Sequence, residues 1–114
     1  MSENKLQIET ELVNSTSVIT PVGDVDLSQS TQLRCVIKTS LDSDSESILI
    51  DLSHVKYMDS SGVATLIEGL QLARTVGKEL KLCSLTHSVE AVIQLSKLDQ
   101  IFDIYPNREL ALES

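Results

Sequence analysis

Apolar and polar residues alternate near the start of the chain, which is the pattern of a strand with one buried face. This alternation covers residues 6–12, and a second apolar run follows at residues 17–22. Residues 14–16, Asn-Ser-Thr, lie between the two runs and favour a turn. The sequence therefore predicts an opening hairpin. The residues predicted to face inward from its first strand are Leu6, Ile8, Thr10 and Leu12.

Helical spacing of apolar residues defines three later segments. Ser28 is a candidate N-cap for the first helix, and Thr86 or Ser88 opens the third. The second helix begins near Ser61 and ends near Gly77, a residue type that favours helix C-termini. The apolar faces are Leu33, Val36, Ile37 and Leu41, then Val63, Leu66, Ile67, Leu70 and Ala73, then Val89, Val92, Ile93 and Leu95.

Short apolar runs alternate with these helices and predict the remaining strands. The run SILIDLS at residues 47–53 suits a central strand buried on both faces, and residues 78–85 and 101–105 follow the same pattern. Residues 107–114 can form a final helical turn or two. The order is β-β-α-β-α-β-α-β-(α). It predicts an α/β fold with a mixed sheet, made of the opening hairpin plus parallel strands, covered by crossover helices.

The charge of the chain narrows the classes of partner. Nine Lys and Arg against seventeen Asp and Glu give a formal net charge of −8. Nucleic acid and anionic membrane surfaces would be repelled, because binding to both depends on basic groups. With no Trp, one Phe and two Tyr, the chain also has no aromatic platform for stacked bases. Basic protein surfaces are the expected partners, and a monomer is the expected state for an acidic surface without an obvious apolar patch.

The cysteines and the N-terminus favour a cytoplasmic protein. Cys35 and Cys83 are far apart in sequence, so we expect both to be buried, reduced thiols. Residues 1–5 precede no apolar run, and no segment approaches the roughly 20 apolar residues of a membrane helix. We therefore expect no signal peptide and no membrane span. Without linkers or repeats, residues 1–114 should form a single domain with its core at about 6–112.

The densest polar chemistry lies in YMDSSGVA, residues 57–64, between the central strand and the second helix. Asp59 or Ser60 can accept hydrogen bonds from the free N–H groups of the helix and leave a neighbouring hydroxyl exposed. Gly62 would let another backbone segment approach closely. One interpretation is that these residues only cap a helix. The other is that one serine is a functional site.

Catalysis by these serines is not indicated by the sequence. A nucleophilic serine needs a base, and the only histidines are His54 and His87, outside any G-x-S-x-G motif. Phosphate loops, zinc-ligand clusters and paired-carboxylate motifs are also absent from the sequence. We therefore expect a protein that is not an enzyme and uses no cofactor or metal. A serine could still be the substrate of another enzyme.

Three segments together resemble a known family: VITPVGDVD, the stretch from ILIDLS through YMDSSG to KELKL, and LTHSVEAVIQLSKLDQIFDIY. The family is that of the STAS domain. More narrowly, the chain is similar to the bacterial anti-sigma factor antagonists. The resemblance extends from about Leu6 to Leu112, and M-D-S-S-G is its most specific element, supported by residues 23–26. It implies partner switching. The unphosphorylated antagonist binds an anti-sigma factor that is also a serine kinase, phosphorylation releases it, and a serine phosphatase resets the cycle.

Site residues follow from the same resemblance. The phosphorylated serine of the family corresponds here to Ser61, with Ser60 as the second choice. Thr65 is added because helical spacing turns it away from the apolar face of the second helix. The candidate partner-binding residues are Asp26, Asp59, Ser60, Ser61, Gly62 and Thr65.

Three positions depart from the family pattern. His87 stands where Pro is frequent, Lys97 where Gly is frequent, and Gln29 where Thr is frequent. Gln29, near the start of the first helix, bears on which kinase is recognised. The other two positions lie at the ends of the third helix and leave the fold unaffected.

Two other functions remain open from the sequence. The N–H donors at the start of the second helix could hold a nucleotide or another anion, which would make the protein a small-molecule sensor. The same phosphorylation switch could also act on a client other than a sigma factor pathway, such as a secretion or motility regulator.

Overall fold

A computed structural model describes residues 6–113 of the chain, and its elements follow the predicted order. Residues 1–5, which bear on the signal-peptide prediction, and Ser114 lie outside the described residues. The strands are β1 (Gln7–Val13), β2 (Thr16–Val22), β3 (Ser47–Asp51), β4 (Glu79–Cys83) and β5 (Asp103–Tyr105). The helices are α1 (Ser30–Leu41), α2 (Ser60–Thr75), α3 (His87–Leu95) and α4 (Arg108–Glu113), with a 3₁₀ turn at Leu98–Gln100.

The strands form one five-stranded sheet in the order β1-β2-β3-β4-β5. β1 and β2 are antiparallel, whereas β2–β3, β3–β4 and β4–β5 pair in parallel. The mixed α/β sheet with β3 at its centre is confirmed. β1 lies at one edge of the sheet and, among the described residues, pairs only with β2.

The main core lies between one face of the sheet and helices α1, α2 and α3. Ile48 and Ile50 of β3 contribute to it, since alternate side chains of a strand point to the same face. α1 supplies residues at i and i+4 spacing, as the apolar pattern predicts. The buried helical residues of this core include Leu33, Ile37, Leu41, Val63, Leu66, Leu70, Ala73, Val89 and Ile93. Within residues 6–113, no helix is both long and apolar enough to cross a membrane.

The opposite face of the sheet carries a much smaller apolar cluster. Val18, Leu49 and Cys83 from three strands pack there with Ala111 of α4. Asp51 and Lys81 are also buried. α4 is the helix that contacts β3, β4 and β5 on this side.

The predicted helix ends are partly confirmed. Thr86 caps α3, because its hydroxyl accepts a hydrogen bond from the Val89 N–H at 3.4 Å. Gly77 follows α2 with φ +74°. Lys97 has φ +59°, a left-handed conformation that favours glycine. Ser28 is not the N-cap of α1. Gln29 occupies that position, and the N–H and hydroxyl of Ser28 both donate to Asp26 Oδ1.

Burial predictions fail at three places. Leu95, predicted on the apolar face of the third helix, is the last residue of α3 and is 85% exposed. Cys35 is exposed, because α1 packs through Leu33 and Ile37, whereas Cys83 is buried as predicted. Thr10 and Leu12 are also exposed, Leu12 to 67%. Both residues lie beside an open groove between the end of the edge strand β1 and the end of α1. They are exposed because α1 does not extend over this part of β1.

Candidate functional site

The serine pair lies at the start of α2, and a single carboxylate caps this helix. Asp59 Oδ1 accepts hydrogen bonds from the N–H groups of Ser61 at 2.9 Å and Gly62 at 3.3 Å. Ser60 is exposed and Ser61 is half-buried. Within residues 6–113, neither serine hydroxyl forms a hydrogen bond with another protein group. Asp59 therefore provides the cap, and both hydroxyls are left for other interactions.

A neighbouring loop, residues 23–28, is bonded to the segment that leads into α2. The Val25 N–H donates to the Tyr57 carbonyl at 3.0 Å, and the Asp59 N–H donates to the Val25 carbonyl at 3.3 Å. The Leu27 N–H donates to Asp59 Oδ2 at 3.2 Å. Asp59 thus uses one carboxylate oxygen to cap α2 and the other to hold the loop.

Gly62 permits the close approach of this loop, as the sequence predicts. A Cβ atom at position 62 would lie 2.8 Å from the Val25 carbonyl oxygen and 2.6 Å from Met58 Cγ. Both distances are shorter than ordinary contacts, so a side chain at this position would displace the loop. The approaching backbone belongs to the protein itself and Gly62 is buried. Gly62 therefore shapes the surface rather than forming part of it.

Asp26 belongs to the same surface. Its Oδ1 accepts hydrogen bonds from the N–H and hydroxyl of Ser28 at 3.0 and 2.7 Å, which folds the loop tightly. This turn leaves Leu27 74% exposed, and Tyr57 nearby is 51% exposed. The sequence reasoning missed both apolar residues. Tyr57 begins the YMDSSGVA segment, but neither residue falls on a periodic apolar face.

Thr65 is buried, which contradicts its prediction as an exposed partner contact. Its side chain is 6% exposed, and its hydroxyl donates to the Ser61 carbonyl at 3.0 Å. The physical reason is that α1 packs along this side of α2. Between the two helices runs a groove of about 260 Å³, lined by Ser61 and Thr65 and bordered by an ion pair between Arg34 and Glu68 at 3.5 Å.

The arrangement offers an exposed hydroxyl pair, two flanking carboxylates and two exposed apolar side chains. Within the described part of the chain, no group of three or more His, Cys, Asp or Glu residues is placed to hold a metal ion. The STAS domain family model matches residues 7–111 of this chain. The chain belongs to the STAS domain family.

Relatives within this family have regulatory names. The anti-sigma F factor antagonist of Paenibacillus polymyxa is 28% identical over 108 residues, which cover 94% of this chain and 92% of that protein. The STAS chain also resembles the anti-sigma factor antagonist SpoIIAA in its unphosphorylated form, with a TM-score of 0.81, 25% identity and coverage of 94% of each chain.

SpoIIAA, a Bacillus cell fate determinant, has also been solved in its phosphorylated form. That structure matches with a TM-score of 0.72 and 24% identity, covering 95% of this chain and 96% of the other. The STAS fold predicted from the sequence is therefore confirmed, and relatives named as anti-sigma factor antagonists share it over nearly the whole chain.

Proposed function

We propose that this STAS protein is an anti-sigma factor antagonist that binds its partner through the start of α2 and is released when a serine there is phosphorylated. The binding region, here called the switch surface, consists of Asp26, Leu27, Tyr57, Asp59, Ser60 and Ser61. The observation that carries this proposal is that Asp59 alone caps α2, which leaves two hydroxyls free beside exposed Leu27 and Tyr57. The names of the relatives support the choice of an anti-sigma factor as partner.

Phosphorylation at this position would oppose binding through its charge. A phosphoserine carries roughly −1.5 to −2 charges at neutral pH. The N–H groups of Ser61 and Gly62 already donate to Asp59, so a phosphate gains little from the helix end. It would lie beside a carboxylate, and burying both groups in an interface is unfavourable. A loss of about 2.7 kcal/mol already weakens binding about a hundredfold.

Two serines compete as the phosphorylation site. The family resemblance favours Ser61, whereas exposure favours Ser60, since a kinase must bring the hydroxyl into its own active site. Incubation with the cognate anti-sigma factor kinase and ATP, followed by mass spectrometry of Ser60→Ala, Ser61→Ala and wild-type protein, assigns the site. Ser88, exposed at the second position of α3, is the matched control serine. Phosphate found only outside Ser60 and Ser61 would refute the proposal.

Binding provides a second test. Ser60→Asp and Ser61→Asp should both fold as the wild type does. The variant at the serine that is phosphorylated should bind the anti-sigma factor about a hundredfold more weakly, as measured by calorimetry. Ser88→Asp adds the same charge at the start of another helix and should bind normally. Equal affinities for all three variants would contradict the electrostatic mechanism. If the proposal holds, treatment of the phosphorylated wild-type protein with a serine phosphatase should restore its binding to the anti-sigma factor.

The sensor function is disfavoured by one contact. Asp59 occupies the N–H groups of Ser61 and Gly62 that an anion would need. Calorimetry with ATP and GTP at micromolar concentration should give no binding heat. The alternative of a secretion or motility client uses the same switch surface, so binding measurements against such regulators in parallel with the anti-sigma factor distinguish the clients.

A further inference from the structure

α4 is too short to be stable without its contacts. It has six residues, Arg108–Glu113, whereas isolated helices shorter than about 12–15 residues are marginal in water. Its first residue provides the main polar contact. Arg108 Nε and Nη2 donate to Asp51 Oδ2 at 3.1 and 2.9 Å, and Nη2 also donates to Thr20 Oγ1 at 3.0 Å. One guanidinium thus joins α4 to β2 and to the end of β3, and its Nη1 also lies 3.6 Å from Glu11 Oε2 of β1.

Asp51 connects this contact to the switch surface. Its Oδ1 accepts a hydrogen bond from the Ser53 N–H at 3.0 Å, while its Oδ2 accepts from Arg108. Asp51 is only 6% exposed. Residues 52–59, the approach segment, follow directly and lead to the serine pair. The carboxylate therefore holds α4 with one oxygen and the start of the approach segment with the other.

Apolar contacts of α4 are limited. Ala111 is buried against Val18, Leu49 and Cys83, and half-buried Leu112 packs against the same cluster, whereas Leu110 is 46% exposed. A methyl group removes little apolar area from water compared with the leucines of the main core. The docking of α4 consequently depends on polar contacts, those of Arg108 and a hydrogen bond that the buried Lys81 Nζ donates to the Ala111 carbonyl at 3.4 Å.

We propose that α4 is a latch that opens as a unit while the sheet and α1–α3 stay folded. The Arg108–Asp51 pair keeps it closed, and opening exposes Cys83 and loosens the approach segment. This inference concerns the other face of the sheet from the main core and does not depend on phosphorylation.

The two cysteines provide a direct test. Cys35 is exposed and Cys83 is buried under α4, so one thiol serves as a reference for the other in the same molecule. Burial raises the pKa of the Cys83 thiol, and the nearby Asp51 charge adds to this, so Cys83 reacts slowly while covered. Labelling with a disulfide reagent under native conditions should modify Cys35 at once and Cys83 slowly.

Removing the guanidinium should change only the slow reaction. In Arg108→Gln, Cys83 should be labelled about tenfold faster or more, because labelling follows the population of the open form. Cys35 should react as before. Arg74→Gln removes an exposed arginine that makes no ion pair among the described residues, and it should leave both rates unchanged. Arg108→Lys, which keeps the charge but loses the two-pronged contact, should give an intermediate rate.

Global unfolding has to be separated from latch opening. The unfolding equilibrium is measured with urea on the same proteins. The latch is supported if Cys83 is labelled faster than complete unfolding of the protein would allow. It is overturned if Cys83 is labelled only at the rate set by complete unfolding, in both the wild type and Arg108→Gln.

Hydrogen exchange tests the connection to the approach segment. The Gly23 N–H donates to the His54 carbonyl and the Val25 N–H donates to the Tyr57 carbonyl, so both amides report on this segment. Both should exchange faster in Arg108→Gln and remain unchanged in Arg74→Gln. Unchanged exchange in Arg108→Gln would refute the link between α4 and the approach segment.

Discussion

The two faces of the sheet are held in different ways. Three helices cover one face with a continuous core of leucine, isoleucine and valine. One six-residue helix covers the other, where four buried apolar residues are accompanied by buried Asp51 and Lys81. Hydrophobic burial stabilises the first face without directional requirements, whereas the second depends on a few oriented polar contacts. We therefore expect the side covered by α4 to be the less stable one.

The approach segment joins these two faces. Leu52, Val55 and Met58 are buried in the main core, while Asp51 immediately before them faces α4. The serine pair is thus attached to the rigid side of the molecule but receives one constraint from the less stable side. Substitutions on each side can test this contrast.

The largest effect is expected from truncation in the main core. Leu66 of α2 is fully buried, and Leu66→Ala should lower the free energy of unfolding by about 2–5 kcal/mol, since a cavity remains in a close-packed interior. Leu49→Ala removes the same groups from the α4 side and should cost less, because a short helix can shift to fill the space. Urea unfolding measures both. An equal or greater loss for Leu49→Ala would contradict the contrast between the faces.

A smaller effect is expected at the switch surface. Gly62→Ala places a methyl group within 3 Å of Val25 and Met58, and should cost about 1–3 kcal/mol through overpacking. The displaced loop should also weaken partner binding. Ala64→Ser, at an exposed position on the same helix, is the control and should change stability by less than about 0.5 kcal/mol. Wild-type stability in Gly62→Ala would show that the loop yields without cost.

Asp51→Asn should cost about 1–2 kcal/mol, because it removes a charged hydrogen-bond acceptor from Arg108, which is itself one-third exposed and partly solvated. Asparagine keeps an oxygen for the Ser53 N–H. A double-mutant cycle with Arg108→Gln isolates the interaction of the pair. Additive losses from the two substitutions would show that they do not interact.

Acid should remove the same contribution. Burial alone would raise the pKa of Asp51, but hydrogen bonds from Ser53 and Arg108 and the guanidinium charge outweigh it and lower the pKa from its ordinary 3.8. A lowered pKa in the folded state stabilises the protein above the ordinary value, and this stabilisation disappears as the pH falls through the folded-state value. The stability difference between wild type and Asp51→Asn should be constant from pH 7 to about 4.5 and then shrink. A difference that does not shrink as the pH falls below the ordinary value of 3.8 would contradict this origin.

The smallest effect is expected for the ion pair beside the groove. Arg34 and Glu68 are both nearly half exposed, so Arg34→Gln should change the free energy of unfolding by about 0–0.5 kcal/mol. Arg108→Gln removes the same charge from a partly buried site. The difference between the two losses in free energy of unfolding measures how much burial and geometry strengthen the interaction of the arginine. Similar losses would imply that Arg108 is merely another surface charge.

Local sequence patterns correctly predicted most buried residues on the side of the sheet that α1, α2 and α3 cover. Leu33 and Ile37, or Leu66 and Leu70, are recognisable from spacing alone, because a helix with one apolar face has a single way to bury it. The same reasoning failed for Cys35, which lies near these positions in sequence but turns to solvent. Whether a residue at the margin of a helical face is buried depends on how far the neighbouring helix or strand extends over it.

The candidate site was predictable in part. Asp59 as the cap and Gly62 as the close-approach residue follow from local chemistry. Thr65 was misplaced because its burial depends on α1, which is distant in sequence. The contact of Arg108 with Asp51 joins residues 57 positions apart, and no periodic pattern encodes such a pair.

The free edge of β1 bears on self-association. A second copy pairing antiparallel across Thr10 would set Glu9 of one molecule opposite Glu11 of the other, and like charges directly opposed across strands are destabilising. Acidic side chains on an open strand therefore discourage the sheets of two molecules from merging into a fibre. The two glutamates thereby oppose self-association of the STAS domain through β1.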